Sequence, residues 1–526
     1  MNYIDLFRAT LPETALEVAA LLVLVVDLGF LRRTAIKTRV AAAALLGVAG
    51  CAAALWAVSV AGPFKWNDDL LLAAGGSAGV AQSAILVLTA LTLLLLIDSD
   101  FTRNAGEYVA VVLMAAAGGL IISAAQDLLV IFVGLELLSL GLYILTAFAK
   151  KSGKSAEAAM KYYLFGGMSA AFLLFGFSYL YGLSGSTSLP RVVLFTYLAS
   201  ARGATPLLIL ALVMVAVGLG FKVAAVPFHL WAPDTYEGAP APAAAFIASV
   251  SKVASFALLI SISYTILWWP KLLHLHGQLT VQVLFANAPQ PPVAVGFVSI
   301  WPFILMLLAA ASMVFGNLAA LAQSSVRRLL AYSAIAHAGY ILLGLAFFGW
   351  SNVSAQAILY YIVTYGLTTI GAFGVVGVVE RATGSDKMDA FLGLSKRNPV
   401  LAAVMLVLFL SLAGIPPLVG FWAKFNVFAA VLSLGAGPFP VPGSLSSLPT
   451  DALALVALAI AFSAVSLYYY LQVLKRVYVM PGPDESPIAV HPVTVAVLVV
   501  IAAAVVVMGC FPALLQGWIA GFYPAM

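Results

Sequence analysis

Apolar residues run along the chain in long blocks that are separated by short polar segments. Blocks of about eighteen or more mostly apolar residues are long enough to cross roughly 30 Å of hydrocarbon as helices. The pattern therefore predicts an all-α polytopic membrane protein with about fourteen membrane-spanning helices, which we call spans 1 to 14 in chain order. Their approximate bounds are 11–31, 40–60, 73–96, 107–125, 128–149, 157–182, 206–232, 243–268, 297–320, 329–349, 354–379, 399–431, 452–474 and 492–520.

Lysine and arginine are divided unequally between the two sets of loops. Alternate loops, among them LRRTAIKTR, AKKSGKS and LKRVY, place sixteen Lys and Arg on one face, which we call the basic face. The opposite face has five, namely Arg8, Lys65, Arg191, Arg202 and Lys271. By the positive-inside rule, this asymmetry predicts a multi-pass protein of a bacterial inner (cytoplasmic) membrane, with the basic face in the cytoplasm and both termini on the periplasmic face.

The composition excludes a soluble protein. Of the 526 residues, 63% are hydrophobic and 9% are charged, whereas soluble domains carry roughly 25% charged residues. The formal net charge of +5 does not indicate nucleic-acid binding, because the basic residues lie in short loops between apolar blocks. The N-terminus lacks the basic start and the cleavage site of a secretory signal, so we expect span 1 to be retained.

Four lysines fall inside predicted spans rather than in loops, namely Lys161, Lys222, Lys252 and Lys424. A lysine near a helix centre costs roughly 2.5–3.5 kcal/mol on insertion scales, so an intramembrane lysine indicates a functional site. The alternative is snorkelling of the side chain to the interface. Lys161 lies near the end of its span and four residues after Glu157, so snorkelling or a local ion pair explains it equally well. The deeper positions of the other three favour function.

Glu136, in the run LLVIFVGLELLSLGLY, is the only acidic residue near the middle of a predicted span. A lone buried carboxylate tends to be protonated, whereas a nearby lysine favours its ionised form. A carboxylate–lysine contact that opens and closes would then act as a proton-transfer switch. The closed contact holds the proton on the lysine, and desolvation removes that proton when the contact weakens.

Two spans contain prolines that interrupt the helical hydrogen bonds. Pro227 lacks the N–H that would bond to the carbonyl of Val223, and Pro416–Pro417 leave the carbonyls of Leu412 and Ala413 free in the same way. Backbone groups left unpaired at membrane depth are tolerated only where they face protein or water. A packing kink is the alternative, but each half of the chain combines one proline break with one lysine. We therefore predict that spans 7 and 12 are broken helices at a functional site.

The two breaks lie five spans apart. This spacing predicts two five-helix repeats, spans 4–8 and spans 9–13, and the odd number of helices inserts the second copy upside down, as in many transporters. The predicted organisation is three N-terminal helices in residues 1–106, the first repeat in 107–268, the second in 297–474 and a C-terminal helix in 475–526.

Motifs for a bound cofactor or metal are missing from the sequence. No G-x-G-x-x-G follows a strand-like run, and the SGKS at 152–155 lacks the upstream glycine of a phosphate-binding loop. Cys51 and Cys510 lie at opposite ends of the chain and have no metal-ligand spacing. His229 and His337 are the only histidines within predicted spans; a haem pair is one interpretation, but both lie in motifs that fit polar links of a proton path better. We expect no redox cofactor and no metal in this chain.

Five motifs carry a resemblance to a known family, namely GLELLSLGLYILTAF, KSAEAAMKYYLFGG, GFKVAAVPFHLWAPDTYEGAPAP, SVRRLLAYSAIAHAGY and LAGIPPLVGFWAKF. They resemble the antiporter-like membrane subunits of proton-translocating NADH:quinone oxidoreductase, respiratory complex I, a family that also includes subunits of multisubunit sodium/proton antiporters. The resemblance runs from about the first span to the last. Lys424 in span 12, the LELLSL motif, and a chain that ends after span 14 without a long lateral helix favour the N-type subunits over the M and L types.

The resemblance implies roles for the intramembrane residues in proton transfer. Glu136 matches the glutamate of the fifth helix, and Lys222 would be its partner on the broken seventh helix. Lys252 would relay the proton towards the centre, and Lys424 would connect to the exit. His337 matches a polar position on the central hydrated axis. Weaker candidates for the same path are Lys161 and His229, which would lie two helical turns beyond Lys222.

The function implied is that of a membrane-arm subunit that moves protons outward when electrons pass from NADH to quinone in other subunits. The resemblance implies that NADH, FMN, iron–sulfur clusters and quinone bind elsewhere in the complex, and that the partners are other membrane subunits and the lipid bilayer. One alternative is a subunit of a multisubunit sodium/proton antiporter, which shares the same buried residues. The other is an inert scaffold, against which the intact lysines and Glu136 argue.

Overall fold

The computed structural model of the chain describes residues 9–61, 72–73, 75–199, 205–276, 294–348, 354–433, 448–482 and 486–522. Arg8, Lys65 and Arg202, three of the basic residues assigned to the face opposite the basic face, lie outside the described residues. The regular elements in the described part of the chain are helices, joined at three points by isolated β-bridges between loops.

The helices confirm the predicted all-α architecture with about fourteen spans. Twelve described helices are long and apolar enough to cross a membrane, and shorter helices supply span 1 and the two halves of span 12. Spans 1 to 6 are Leu11–Val25 with a π-helical turn at Val26–Phe30, Ile36–Ala61, Gly76–Leu96, Ala105–Ala124, Leu128–Thr146 and Gly153–Ser184. Spans 8 to 11, 13 and 14 are Ala241–His276, Ala294–Leu321, Val326–Ala346, Ser354–Thr383, Leu448–Tyr478 and Pro492–Cys510.

Polar residues fix where several helices begin. The side chains of Asp127, Ser152, Ser325 and Asn398 accept hydrogen bonds from backbone N–H groups in the first turns of spans 5, 6, 10 and 12. An N-cap of this kind satisfies a backbone donor that has no helical partner. The helix starts therefore follow from capping residues at the ends of the apolar blocks, and not from the blocks alone.

Spans 7 and 12 are broken, as the prolines predict. Span 7 consists of Thr205–Lys222 and Trp231–Gly238, and residues 223–230 between them are not helical. Span 12 consists of Pro399–Ala413 and Val419–Leu432. Gly414 ends its first half with φ of 88°, a left-handed conformation that glycine adopts without steric cost. The break in span 7 is thus longer than the break in span 12.

Small residues allow neighbouring spans to approach closely. Where spans 5 and 4 meet, a Cβ on Gly141 would lie 2.7 Å from the Cβ of Ala115. Where spans 10 and 9 meet, a Cβ on Gly339 would lie 2.8 Å from the backbone of Met313. Such contacts stabilise helix pairs in a membrane, where apolar burial between helices gives little driving force. Spans 8 and 10 are buried over almost their whole length, so they form the centre of the bundle.

Several predicted boundaries differ from the observed helices, and two of them are instructive. Span 13 continues to Tyr478, beyond the predicted end at residue 474. The helix of span 14 stops at Cys510, because Phe511 leaves the helical conformation and Pro512 begins a separate short helix, Pro512–Gly521. Composition alone did not indicate this stop, since the apolar block continues past it.

Candidate functional site

Lys222 is the last residue of the first half of span 7, and its side chain is buried. Its Nζ donates a hydrogen bond of 2.5 Å to Oγ of Ser139 in span 5. Ser139 in turn donates to the carbonyl of Leu135 in its own helix, which leaves its oxygen lone pairs directed at the ammonium. The buried charge is therefore held by a neutral hydroxyl.

Glu136 lies one helical turn before Ser139, so span 5 presents both side chains on one face. Among the ion pairs of the described residues none joins Lys222 to Glu136, although the two charges are near enough to interact. The structure thus brings the predicted pair into one site without a direct contact. The amine faces the serine and the carboxylate is one turn away.

The non-helical segment of span 7 finds partners in other parts of the protein. The N–H of Val226 donates to Oγ of Ser312 in span 9 at 2.9 Å. The indole N–H of Trp231 donates to the carbonyl of Phe221 at 2.9 Å and so satisfies an acceptor at the end of the first half-helix. Trp231 also stacks on Tyr162 with ring centroids 4.3 Å apart. These contacts explain how an interrupted backbone is tolerated inside the bundle.

Lys252 lies in span 8 directly after a π-helical turn, Ile247–Ser251, and its side chain is buried. Its Nζ donates a 2.6 Å hydrogen bond to the carbonyl of Ala334 in span 10 and lies 5.9 Å from the ring centroid of Tyr365 in span 11. π-helical turns inside α-helices are frequent at functional sites. Here the turn immediately precedes the only lysine of the helix's buried part.

His337 connects the neighbourhoods of two lysines. It is buried in span 10, three residues after Ala334, and its Nδ1 forms a 2.7 Å hydrogen bond with the hydroxyl of Tyr361. The ring lies close enough to Lys252 and to Lys424 to interact electrostatically with both. The structure therefore places this histidine between the two amines, on one of the two most enclosed spans of the bundle.

Lys424 lies in the second half of span 12 and is buried. Its Nζ donates to the carbonyl of Ala413 and to Oγ of Ser463, both at 2.9 Å. The helical partner of the Ala413 carbonyl would be residue 417, a proline without an N–H, so the break supplies the acceptor that holds the amine. The prediction that the prolines free this carbonyl is confirmed.

Two of the predicted site residues, Lys161 and His229, lie apart from the buried lysines and His337. Lys161 is partly exposed and forms ion pairs of 2.8 Å with Glu157 and with Asp234, so the predicted local pair exists and a second carboxylate joins it. His229 lies in the non-helical segment of span 7, and the prediction that it sits two helical turns beyond Lys222 is wrong because the helix ends at Lys222. The Nδ1 of His229 is buried without a hydrogen-bond partner among the described residues.

Charged residues cluster where span 7 reaches the basic face. Asp234 accepts from Arg328 at 2.7 Å and from Lys161, while Glu237 accepts from Arg328 and from Lys154, both at 3.1 Å. Each carboxylate thus has two cationic hydrogen-bond partners, which tie the second half of span 7 to spans 6 and 10. Sequence reasoning missed this cluster, although the i,i+3 spacing in APDTYEG puts both carboxylates on one helix face.

The three buried amines share one feature. Lys222, Lys252 and Lys424 are each hydrogen-bonded to neutral oxygens, and none of them forms an ion pair with a carboxylate in the described part of the chain. Sequence reasoning missed Ser139 and Ser463, which hold two of these amines, because serine is common in membrane helices and carries no signal by itself. The described residues contain no group of three or more His, Cys, Asp or Glu that is arranged to hold a metal ion.

Comparison with known proteins gives a consistent result. A family described as "NADH:quinone oxidoreductase/Mrp antiporter, TM" matches the chain over residues 125–288 and 284–448. A relative from Acidobacterium capsulatum, named NADH-quinone oxidoreductase subunit N 2, is 46% identical over 99% of this chain and 99% of its own length.

Solved structures share the fold. A chain of respiratory complex I from Thermus thermophilus with bound aureothin superposes with a TM-score of 0.73 and 32% identity, covering 96% of this chain and 98% of that chain. A chain of the Mrp complex from Dietzia sp. gives a TM-score of 0.76 over 97% of this chain and 51% of that chain, but at 22% identity the likeness concerns the fold alone.

Proposed function

The chain belongs to the NADH:quinone oxidoreductase/Mrp antiporter family of membrane proteins, and we propose that it translocates protons as a membrane-arm subunit of a complex I-type NADH:quinone oxidoreductase. Relatives that match the chain along nearly its full length are named as subunit N of that enzyme. This similarity favours the complex I role over a sodium/proton antiporter.

The observation that carries the proposal is a row of titratable groups inside the bundle. It begins with the half-buried Glu136 and the buried Lys222, continues through the buried Lys252 and His337 and reaches the buried Lys424, and it crosses the most enclosed part of the bundle. Burial favours a neutral amine, whereas a nearby carboxylate favours the ammonium. Because Lys222 contacts Ser139 with Glu136 one turn away, a small movement along span 5 would exchange a neutral partner for an anionic one.

The magnitudes are compatible with pumping. Moving one charge against a membrane potential takes about 2.3 kcal/mol per 100 mV. Each pKa unit of change in proton affinity corresponds to about 1.4 kcal/mol. Opening and closing a buried ion pair changes a pKa by about 1–3 units, so one such contact supplies energy of the required size without covalent chemistry.

The breaks in spans 7 and 12 suggest where protons enter and leave. Eighteen helical residues precede the break in span 7, so about 27 Å of helix separates it from the face opposite the basic face. Fifteen residues, or about 22 Å, separate the break in span 12 from the basic face. We place the basic face in the cytoplasm and both termini in the periplasm, with uptake near Lys222 and release near Lys424.

The remaining assignments follow from this function. The chain holds no redox cofactor in this proposal; NADH, FMN, iron–sulfur clusters and quinone are bound by other subunits of the complex. We divide the chain into three N-terminal helices (1–106), a first repeat (107–268), a second repeat (297–474) and a C-terminal helix (475–526). Each repeat then contains one broken helix and one half of the row of titratable groups. Lys161 and His229 serve the basic-face end of the path.

Substitution in the assembled complex tests the proposal. Lys222→Ala or Glu136→Ala, reconstituted with the whole enzyme in sealed vesicles, should lower NADH-driven proton pumping strongly while the protein still inserts and assembles. Lys151→Ala, which removes an exposed lysine from the basic face, is the matched control and should pump normally. Normal pumping and quinone reduction by both variants at Lys222 and Glu136 would refute the proposed role.

A further inference from the structure

A cavity of about 590 Å³ opens at the basic face between the ends of spans 3, 8, 11 and 14. Charged residues of both signs surround its mouth, including Lys154, Glu237, Glu380, Arg381 and Asp386. The cavity is separate from the hydrogen bond between Lys222 and Ser139, neither of which lines it. Apolar residues such as Leu95 and Val378 line the wall beside these charges, and the charged groups allow water to enter.

Two buried polar atoms in the cavity wall have no hydrogen-bond partner among the described residues. Arg327 is 4% exposed; its guanidinium donates to the carbonyls of Glu237 and Ala239 and pairs with Glu380 at 2.6 Å, but its Nε is unpaired. Oγ1 of Thr494 is also unpaired and buried. Buried polar groups are nearly always satisfied, by protein or by ordered water. These atoms therefore indicate that water occupies the cavity.

The floor of the cavity leads along the interface of spans 8 and 11. A Cβ on Gly377 would lie 2.7 Å from that of Ala241, and a Cβ on Gly366 would lie 3.3 Å from a side-chain methyl of Val253. These two contacts show that the spans pack antiparallel with a fixed register. Small residues, Ala245 and Gly374, line the cavity where the spans meet.

The same register brings polar side chains to the interface below the cavity. Nζ of Lys252 in span 8 lies 5.9 Å from the ring centroid of Tyr365 in span 11, and Thr369 follows Tyr365 by one helical turn. The hydroxyl of Tyr236 is buried and has no hydrogen-bond partner in the described part of the chain, and Oγ1 of Thr369 lies within hydrogen-bonding reach of the Tyr365 hydroxyl. The ring of Tyr236 lies 5.6 Å from that of Phe373, which lines the cavity floor. Hydroxyl groups thus continue from the cavity towards Lys252.

We propose that this cavity is the mouth of a second proton-uptake route, which runs between spans 8 and 11 and delivers protons to Lys252 without passing Lys222. A hydronium ion at the mouth gives up its proton and becomes water; waters held by Tyr236 and Thr369 pass the proton on, and the neutral Lys252 amine accepts it to become the ammonium. Phe373 narrows the route at the cavity floor. This inference rests on the proposed function, since it assigns Lys252 a supply of its own.

Pumping measurements test the role of the hydroxyls. The double variant Tyr236→Phe/Thr369→Val removes both hydroxyls at almost constant volume, and the matched control Tyr360→Phe/Thr265→Val removes two buried hydroxyls that do not line the cavity. In the whole complex in sealed vesicles, we expect the first variant to lower the pumping rate several-fold and to increase the solvent deuterium isotope effect, with the control unchanged. Wild-type values of both quantities in the first variant would overturn the route.

Chemical accessibility gives a test that does not depend on pumping. In a chain with both native cysteines replaced by alanine, Ala245→Cys should react with a cationic methanethiosulfonate reagent added from the basic face of whole-complex vesicles. Ala244→Cys, equally buried but outside the cavity wall, should not react. Equal protection of both cysteines would show that the cavity does not reach span 8. If Lys424→Ala, which removes the exit that both routes share, pumps normally instead, the proposed function fails while the labelling result stands.

Discussion

The hydrogen bond from Lys222 to Ser139 offers the sharpest test of how the buried row works. Replacing Ser139 by alanine removes the only acceptor that Lys222 contacts in the described part of the chain. The amine is then left with two options: it turns towards Glu136, one helical turn away, or it becomes neutral. Either outcome prevents Lys222 from alternating between the neutral Ser139 and the anionic Glu136.

The size of the effect follows from the bond that is lost. A hydrogen bond to a charged group contributes about 1.5–3 kcal/mol. Since about 1.4 kcal/mol is a factor of ten, Ser139→Ala should shift the balance between the serine contact and the glutamate contact by roughly 10- to 150-fold. If that exchange limits the cycle, pumping falls by about tenfold or more. Ser139→Thr keeps the hydroxyl and should retain most of the rate.

The assay is NADH-driven proton uptake by sealed vesicles that contain the whole complex, with quinone reduction measured in parallel. Glu136→Gln should lower pumping alone, and adding Ser139→Ala to it should lower pumping little further, because both changes act on the same exchange at Lys222. Wild-type pumping by Ser139→Ala, or fully additive losses in the double variant, would refute the exchange between serine and glutamate.

Three further predictions concern the breaks and the basic face. Asp234→Asn/Glu237→Gln removes the four ion pairs that Lys154, Lys161 and Arg328 make with these carboxylates and leaves Lys154 and Arg328 without a carboxylate partner in the described part of the chain, so the melting temperature at neutral pH should fall; an unchanged melting temperature contradicts this. Gly414→Ala forces an alanine into the left-handed backbone conformation and puts its Cβ 3.0 Å from Cδ of Lys424. The free energy of unfolding should therefore fall by about 1–2 kcal/mol, and pumping should fall with it. Gly153→Ala is the control, because no atom outside its own stretch of helix lies within 4 Å of the added Cβ. Trp231→Phe removes the donor to the Phe221 carbonyl at the end of the first half of span 7 and should cost about 1–3 kcal/mol by thermal unfolding, whereas equal stability would show that another donor replaces the indole.

The separation of carboxylates from amines has a consequence for the rest of the molecule. The carboxylates that do pair with cations, such as Asp234, Glu237 and Glu380, lie towards the basic face, where ion pairs anchor the ends of spans 7, 10 and 11. In the interior, amines meet hydroxyls and carbonyls instead. The rigid ion pairs thus hold the end of the broken helix, while the amines stay free to change partners.

Local properties of the amino-acid sequence are enough to predict the spans, the basic face and the positions of the buried charges. An apolar block must become a helix in hydrocarbon, a proline must leave a carbonyl unbonded, and a lysine inside an apolar block must be costly unless it is used. Lys222, Lys252, Lys424 and Glu136 stand out in the sequence for that reason. The breaks in spans 7 and 12 follow in the same way.

The groups that these charges meet depend on tertiary packing. Ser139 holds Lys222 across 83 residues of sequence, and the carbonyl of Ala334 holds Lys252 across 82 residues. Lys161 finds Asp234 at a distance of 73 residues, which turns a candidate of the buried row into part of the cluster at the basic face. Contacts of this kind require particular helix faces to pack together, and in an almost uniformly apolar chain the local pattern contains no information on that choice. Packing of small residues fixes it instead.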